Sequence, residues 1–395
     1  MNRPGYDKRR PFKSTLQNQV RLVQGGQAYF TELKRLIDAA RESIHLQAYI
    51  FDADTTGHEV AACLKAAARR QVSVYLLVDG YASRGLPRAF VEDLRAAGVQ
   101  VRFFNPLFKS DYFYFGRRMH HKIVVTDTRQ ALVGGINISD RYNDLPGRPA
   151  WLDFAIYIEG ETARELCILC WKSWKNYPPG MGLTPCEEKP LSYPLPAGET
   201  AEVAMVRNDW VRRKNEISAT YVNMFRSARS QITILCSYFL PGRVIRRQLR
   251  FALSRGVRVS VITAGVSDVK LAKWAERYWY DWMVRNQIRV YEYQPTVLHG
   301  KIAVCDGEWV TIGSYNLNDI SAYASIETNI NVYDRRFATA TEEGLLQIAR
   351  QQCKPLDPDY HKQPHNPIRQ LTRWISYQFF RLMFYLFTFY YKHKL

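Results

Sequence analysis

The sequence lacks a long hydrophobic run over most of its length, and it lacks a disulfide framework. No stretch before residue 370 is apolar over the roughly 20 residues that a membrane-spanning helix needs. The basic segment 1–20 has no apolar core, so we expect no secretory signal there. The seven cysteines are odd in number and scattered, and no second pair accompanies Cys167 and Cys170. We therefore expect reduced thiols in a cytosolic setting.

Acidic residues are few relative to basic ones. Asp and Glu number 37 against 55 Lys and Arg, which gives a formal net charge of +18. Such an excess attracts polyanions, either nucleic acid or an anionic lipid surface, and by itself does not choose between them. The 395 residues suit two domains of moderate size, and an apolar fraction of 47% allows each domain a full core.

The chain contains an internal duplication. The buried-strand pattern SIHLQAYIF (43–51) corresponds to QITILCSYF (231–239). Each is followed by a basic amphipathic helix and a second strand, LKAAARRQVSVYLLVDG (64–80) in the first half and LRFALSRGVRVSVITAG (249–265) in the second. Strands that alternate with helical patterns predict α/β halves with largely parallel pairing. Two similar halves predict a pseudo-dimer whose site lies at the shared interface.

Domain boundaries follow from the duplication and from composition. A stretch rich in Pro and Gly separates the halves and is typical of a connector. We predict a basic N-terminal segment 1–20, a first half 21–175, a Pro-rich connector 176–208, a second half 209–355 and a basic aromatic tail 356–395.

Each half contains the pattern H-x-K-x4-D-x6-G-[GS]-x-N. Its members are His120, Lys122, Asp127, Gly134, Gly135 and Asn137 in the first half, and His299, Lys301, Asp306, Gly313, Ser314 and Asn316 in the second. On a strand, a His and a Lys two residues apart share a face. Phosphodiester chemistry needs a nucleophile, an acid for the leaving alkoxide and positive groups around the phosphoryl oxygens, and paired His, Lys and Asn side chains supply them. We expect the Asp to orient or charge-balance the His or Lys. No metal or other cofactor is demanded, because the Lys pair can neutralise the phosphate.

The paired motifs HHKIVVTD…GGIN and HGKIAVCD…GSYN resemble those of the phospholipase D superfamily. LLVDGYAS (76–83), SYFLPG (237–242) and GSYNLNDISAYASIETNI resemble its bacterial cardiolipin synthase branch, in the shorter type without N-terminal membrane spans. The resemblance implies a duplicated α/β fold, two α/β/α sandwich halves that form a pseudo-twofold dimer with one shared active site. It also implies a phosphohistidine intermediate, with His120 as nucleophile and His299 as the acid that later becomes the base.

The resemblance further implies that Asp153 and Glu327 lie behind the two His, where a carboxylate fixes the tautomer. It implies a phosphatidyltransferase that moves a phosphatidyl group from phosphatidylglycerol to a second phospholipid. The alternative is a phosphodiesterase or nuclease of the same superfamily. The aromatic run LFKSDYFYFGRRM (107–119) suits an acyl-chain and headgroup interface, and it would also suit base stacking.

The C-terminal tail favours lipid over nucleic acid. Residues 361–395 contain no Asp or Glu, but they contain Lys362, Arg369, Arg373, Arg381, Lys392 and Lys394 beside a run of large apolar residues. As a helix the run is barely long enough for a span, with a charge inside it. We predict an interfacial anchor, with packing on the protein or a true span as alternatives. The expected partners are an anionic phospholipid surface and phospholipid substrates, at the cytoplasmic face of the cell membrane, and nucleic acid is the less favoured partner.

Overall fold

The computed structural model describes residues 12–106, 117–174, 184–188, 195, 198–318, 325–360 and 367–392. The first half contains strands β1 Asn18–Gln24, β2 Ser43–Ala48, β3 Ser73–Asp79, β4 Gln100–Phe104, β5 Arg118–Met119, β6 Ile123–Thr126, β7 Gln130–Gly134 and β8 Phe154–Gly160. Its helices are α1 Gln27–Ala39, α2 Thr55–Arg69, α3 Arg88–Ala96 and α4 Glu161–Trp174. A short helix, α5 Pro185–Glu188, follows.

The second half repeats this succession of elements. Its strands are β9 Glu202–Asp209, β10 Lys214–Asn215, β11 Gln231–Cys236, β12 Arg258–Val266, β13 Arg289–Val297, β14 Lys301–Cys305, β15 Trp309–Gly313, β16 Ser325–Tyr333 and β17 Cys353–Pro355. Its helices are α6 Glu216–Ser227, α7 Arg243–Ser254, α8 Lys270–Arg277, α9 Tyr280–Arg285, α10 Arg335–Gln352 and α11 Pro367–Lys392. We call α11 the tail helix.

The two sheets have the same strand order. The first is β1-β8-β7-β6-β2-β3-β4, and the second contains the equivalent path β9-β16-β15-β14-β11-β12-β13. The predicted duplication and α/β fold are therefore confirmed. The expectation of largely parallel pairing is wrong, because along these two paths only β2 with β3, β3 with β4 and their counterparts pair in parallel. The strands that follow each H-x-K motif form antiparallel hairpins, which need no crossover helix.

Alternate side chains of each central strand enter different hydrophobic cores. In β6, Val124 joins an outer core beneath α1 to α3, while Val125 joins a central core. In β14, Ala303 joins an outer core with α6 and α7, while Val304 joins the same central core. This division follows from the two-residue period of a strand. The central core also contains residues of α4 and α10, so the two halves bury their inner faces against each other.

The connection between the halves departs from two expectations. Cys167 in α4 is disulfide-bonded to Cys186 in α5, with Cα atoms 6.2 Å apart. The expectation of reduced cysteines is therefore wrong for this pair, which spacing alone did not indicate because the two helices meet only in the folded chain. The predicted connector 176–208 also includes most of β9, which belongs to the second sheet. The domain boundaries otherwise stay a prediction.

The tail helix packs against α8. Tyr377 stacks on Tyr278 with ring centroids 5.0 Å apart and contacts the edge of Trp279 at 5.1 Å. Arg373 donates to the hydroxyl of Tyr360 at 2.8 Å. Leu371, Ile375 and Leu382 are exposed on the side of the tail helix away from Tyr377, which we call its outer face. Trp374 is also exposed, beside the contact with Tyr278. Within the described residues, no helix combines the length and the apolar character that a membrane span requires.

Candidate active site

Each motif histidine is held by the backbone of the other half. The amide of His120 donates to the carbonyl of Ile326 at 3.0 Å, where β5 runs parallel to the start of β16. The amide of His299 donates to the carbonyl of Leu152 at 2.7 Å, in the equivalent crossing. The two halves therefore position each other's histidines.

The carboxylates behind the histidines also cross between the halves. Nδ1 of His120 lies 2.8 Å from Oε2 of Glu327, and Nδ1 of His299 lies 2.6 Å from Oδ2 of Asp153. Both carboxylates are buried, with 0% exposure for Glu327 and 1% for Asp153. A carboxylate only accepts hydrogen bonds, so this contact favours a proton on Nδ1 and leaves the lone pair on Nε2.

The Gly-Gly and Gly-Ser dipeptides of the motifs fit these two carboxylates. A Cβ on Gly135 would lie 2.3 Å from Oδ1 of Asp153, so only glycine leaves room for that side chain. The equivalent residue, Ser314, donates instead to Oε2 of Glu327. The amides of both residues donate to equivalent carbonyls, those of Phe154 and Thr328.

The two motif lysines are buried beside the histidines. Nζ of Lys122 donates to the carbonyl of His120 at 2.9 Å and lies 4.9 Å from the ring centroid of Tyr49. Nζ of Lys301 donates to the carbonyl of His299 and lies 3.1 Å from its Nδ1. Burial lowers the pKa of both lysines, and the buried carboxylates act in the opposite direction.

Burial also keeps the two histidines neutral. It lowers the pKa of His299 to about 4 and that of His120 below its ordinary value. The charge of Lys301 lowers the pKa of His120, and the charge of Lys122 lowers that of His299, so each lysine acts across the interface. Burial acts to raise the pKa of Asp153, but Lys301 and His299 outweigh it and leave that pKa below its ordinary value.

Asp127 and Asp306 lie away from this centre, which corrects the expectation that they orient the His or Lys. The carboxylate of Asp127 accepts the amides of Arg41, Glu42 and Ser43 at 2.8 to 3.0 Å. Asp306 accepts the amides of residues 229–231 at 2.8 to 2.9 Å. Each Asp follows its Lys by five residues of extended chain, roughly 16 Å, and so sits at the far end of the strand.

The motif asparagines and Ser237 brace the loops around the histidines. Oδ1 of Asn137 accepts the amide of Ile50 at 3.1 Å, and its Nδ2 donates to the hydroxyl of Tyr142 at 2.8 Å. The hydroxyl of Ser237 lies 2.9 Å from Oδ1 of Asn316 and 3.2 Å from the carbonyl of His299. Both asparagine side chains therefore have protein partners on at least one atom.

Aromatic rings that sequence reasoning did not assign surround the two histidines. Tyr49 meets the ring of His120 edge-on with centroids 4.7 Å apart. Tyr142 and Trp151 lie 5.2 and 6.2 Å from the ring of His299. The tyrosine near the end of the duplicated strand was the available signal for Tyr49. Most of the aromatic run 107–119, at 107–116, lies outside the described residues.

Within the ranges that the structure describes, no group of three or more His, Cys, Asp or Glu side chains is arranged to hold a metal ion. The arrangement instead provides two histidines with tautomers set by carboxylates, and two lysines between the halves. Such a centre suits displacement at phosphorus with a nitrogen nucleophile and a nitrogen acid. Fold and site together define a phosphotransferase of the phospholipase D type.

Comparisons with known proteins extend this description. A family model described as cardiolipin synthase, PLD-like domain, matches residues 33–146 and 221–348. Cardiolipin synthase B of Escherichia coli strain K12 is 33% identical over 343 residues, which cover 86% of this chain and 82% of that protein. A cardiolipin synthase of Geobacillus kaustophilus is 31% identical and matches over 81% of this chain and 64% of its own length.

Solved structures agree on the fold. The phosphatidylserine synthase of Haemophilus influenzae superposes with a TM-score of 0.72 at 16% identity, covering 92% of this chain and 93% of that chain. The chain belongs to the cardiolipin synthase family of phospholipase D-like proteins. It is an enzyme of the phospholipase D-type phosphatidyltransferase class.

Proposed function

We propose that this enzyme transfers a phosphatidyl group from phosphatidylglycerol to a second phospholipid through a phosphohistidine on His120. The observation that carries the proposal is the exchange of carboxylates, in which Glu327 holds His120 and Asp153 holds His299 from opposite halves. Cardiolipin synthases among its relatives support a lipid acceptor. The site residues keep the roles that the sequence implied, except Asp127 and Asp306 and the motif asparagines, which hold the loops around the histidines.

In the first step, Nε2 of His120 attacks phosphorus and forms a P–N bond. The P–O bond to the glycerol headgroup breaks, and His299 gives its proton to the departing alkoxide. In the second step, an acceptor hydroxyl loses its proton to His299 and attacks phosphorus, which breaks the P–N bond. Lys122 and Lys301 balance the charge on the phosphoryl oxygens throughout.

The acid role of His299 depends on the substrate. Burial lowers its pKa to about 4 in the free protein, so the ring is neutral near pH 7. A bound phosphodiester brings negative charge beside the ring and favours the protonated form. Proton uptake is therefore coupled to phosphate binding, while Asp153 supports the resulting cation.

Transfer competes with hydrolysis, because water is also an acceptor. A lipid acceptor wins only where it is delivered from a membrane and water is limited. The basic tail helix, with Leu371 and Ile375 exposed on its outer face, supports a position on the anionic cytoplasmic surface of the membrane.

Trapping the covalent intermediate tests the mechanism. The donor is a phosphatidyl ester with a good leaving group, labelled at phosphorus, in buffer with excess EDTA. After alkaline denaturation, because phosphohistidine is acid-labile, peptide mass spectrometry locates the label. We expect it on His120, and we expect it to accumulate in His299→Ala, which lacks the base for the second step.

His120→Ala should lower turnover of phosphatidylglycerol by about 100-fold or more and should carry no label. His58→Ala, which changes an exposed histidine of α2, is the matched control and should label normally. Label on His299 would reverse the assigned roles, and full activity of His120→Ala would refute the mechanism. Products without any two-phosphate lipid would favour a phosphodiesterase.

A further inference from the structure

The two half-sites differ in charge at one equivalent position. Arg118 precedes His120 by two residues, whereas Val297 precedes His299 by two. A side chain two residues away on extended backbone shares the face of the histidine. The position of Arg118 is fixed by pairing with Ser325, two residues before Glu327. The arginine therefore marks the His120 side of an otherwise nearly symmetric centre.

Only some of the N–H donors of the Arg118 guanidinium have hydrogen-bond partners. Its Nη2 donates to the carbonyl of Asn105 at 2.7 Å, and its Nη1 lies 3.5 Å from Oδ1 of Asp79. Nε and Nη1 are buried and have no hydrogen-bond partner within the described part of the chain. Buried N–H donors without partners cost free energy, so a ligand that accepts from them is favoured. A guanidinium can donate two parallel hydrogen bonds to a phosphate.

Asp79 forms an ion pair with Arg118 at 3.5 Å, but the hydrogen bonds of its carboxylate go to backbone amides. One oxygen accepts the amide of Met119 at 2.9 Å, and the other accepts the amides of Tyr81 and Ala82 at 3.0 and 3.1 Å. The carboxylate of Asp79 therefore holds the end of β3 close to β5, the strand that leads to His120. The guanidinium keeps donors for another anion.

Arg118 lies close to the reacting centre. The ring of Tyr49 contacts His120, and burial followed by the charge of Asp79 raises the pKa of its hydroxyl to about 12. The charge of Arg118 opposes that rise, and the charge of Glu327 adds to it. The charges of Arg118 and of Glu327, the carboxylate that holds His120, therefore both act on the hydroxyl of Tyr49.

We propose that Arg118 binds the phosphate of the acceptor phospholipid. This inference rests on the proposed function. The donor phosphatidylglycerol has one phosphate, which must sit at the histidine pair to react. A second phosphate in the complex belongs to the acceptor, and Arg118, whose Nε and Nη1 have no partner among the described residues, stands on the His120 side to bind it. Arg118 is then a specificity-determining residue that favours phospholipid acceptors over simple alcohols and water.

A competition between two acceptors tests this role. Vesicles of phosphatidylglycerol supply the donor and the phosphate-bearing acceptor, and ethanol supplies an acceptor without phosphate. The readout is the ratio of two-phosphate lipid to phosphatidylethanol. We expect Arg118→Gln to lower this ratio about tenfold or more, as loss of charged hydrogen bonds predicts. Arg118→Lys keeps the charge but lacks the planar guanidinium, so its product ratio should lie between those of the parent protein and Arg118→Gln.

The neighbouring residue supplies a matched control. Arg117 alternates to the other face, where it pairs with Asp209 at 2.7 Å, so Arg117→Gln should leave the ratio unchanged. If Arg118→Gln lowers both products equally, the residue serves the donor or the fold, and the acceptor proposal is wrong. Wild-type protein that makes neither product would instead refute the proposed function, and the role of Arg118 with it.

Discussion

Exchange of carboxylates makes each histidine depend on the half of the chain that does not contain it. Glu327 follows His120 by 207 residues, and Asp153 precedes His299 by 146. Without its carboxylate, a buried histidine would lose the partner that sets its tautomer and stabilises its cation. Neither half therefore contains a complete histidine–carboxylate pair, and the candidate site forms where the central core joins the two halves.

The burial of His45, which lies outside the active site, should make the protein less stable in acid. His45 stacks on Tyr75 with ring centroids 4.7 Å apart, and burial lowers its pKa to about 4. Between its ordinary value near 6.5 and about 4, the unfolded chain binds a proton that the native ring does not. The free energy of unfolding should therefore fall as pH falls through this window.

His45→Phe keeps an aromatic ring in place but removes the titration. Relative to its own stability at pH 8, this variant should lose less stability at pH 4 than the parent protein, by on the order of 3 kcal/mol. Urea unfolding followed by tryptophan fluorescence at several pH values measures the difference. Parallel pH profiles for the two proteins would contradict the assignment.

At the residue scale, the H-x-K spacing indicated that each His and Lys would lie together, and each Lys Nζ does donate to the carbonyl of its His. The catalytic roles of these residues stay a prediction. The pattern could not tell which end of the strand meets the centre, and so Asp127 and Asp306 were misassigned. Nor did the spacing show which half supplies each carboxylate, because that depends on how β5 pairs with β16.

At the scale of elements, the motif Asp residues hold a hairpin to a neighbouring strand. Asp127 has a φ of 52° and Asp306 a φ of 54°, so both occupy left-handed turn positions that Asp tolerates better than most residues. Their carboxylates accept the amides of the first residue of β2 or β11 and of the two residues before it. The two repeats therefore share the same turn, with an Asp at the same position of each.

Asp127→Ala should weaken the fold rather than the chemistry. The variant loses hydrogen bonds to three amides, and we expect the free energy of unfolding to fall by about 2 kcal/mol or more. Below its unfolding temperature, kcat on a soluble phosphodiester should stay within about twofold of the parent value. Asp38→Ala, an exposed residue of the adjacent helix, is the control and should change neither quantity. A large loss of kcat at full stability would restore Asp127 to the active site.

Element prediction was accurate for the duplicated strands and inaccurate for their pairing. The apolar runs at 43–51 and 231–239 contain β2 and β11, as expected. Apolar periodicity identifies a buried strand but does not encode the direction of its neighbour. The turns VTDTRQ and VCDGEW were available signals for hairpins after each H-x-K motif, since Asp and Gly favour turns.

At the scale of the whole molecule, the tail helix is both packed and exposed. Tyr377 anchors it to α8, so truncation would uncover aromatic rings of the body as well as remove the helix. The structure therefore shows the packing on the protein that the sequence offered as an alternative, while the interfacial anchor stays a prediction for the exposed face. Substitutions on the outer face separate membrane binding from folding more cleanly than truncation does.

The outer face of the tail helix should determine binding to anionic vesicles. Leu371 and Ile375 are 56% and 52% exposed and lie one helical turn apart. Changing both to Gln removes two apolar side chains, each contributing about 1.5 to 3 kcal/mol if fully buried in lipid, so sedimentation with phosphatidylglycerol vesicles should weaken about tenfold or more. Cleavage of a soluble phosphodiester should persist, and Leu16→Gln, at a site 61% exposed outside the tail, should bind vesicles normally. Unchanged sedimentation of a folded double variant would refute membrane docking by this face, and loss of a dimer in the same variant would assign it to a second copy of the chain.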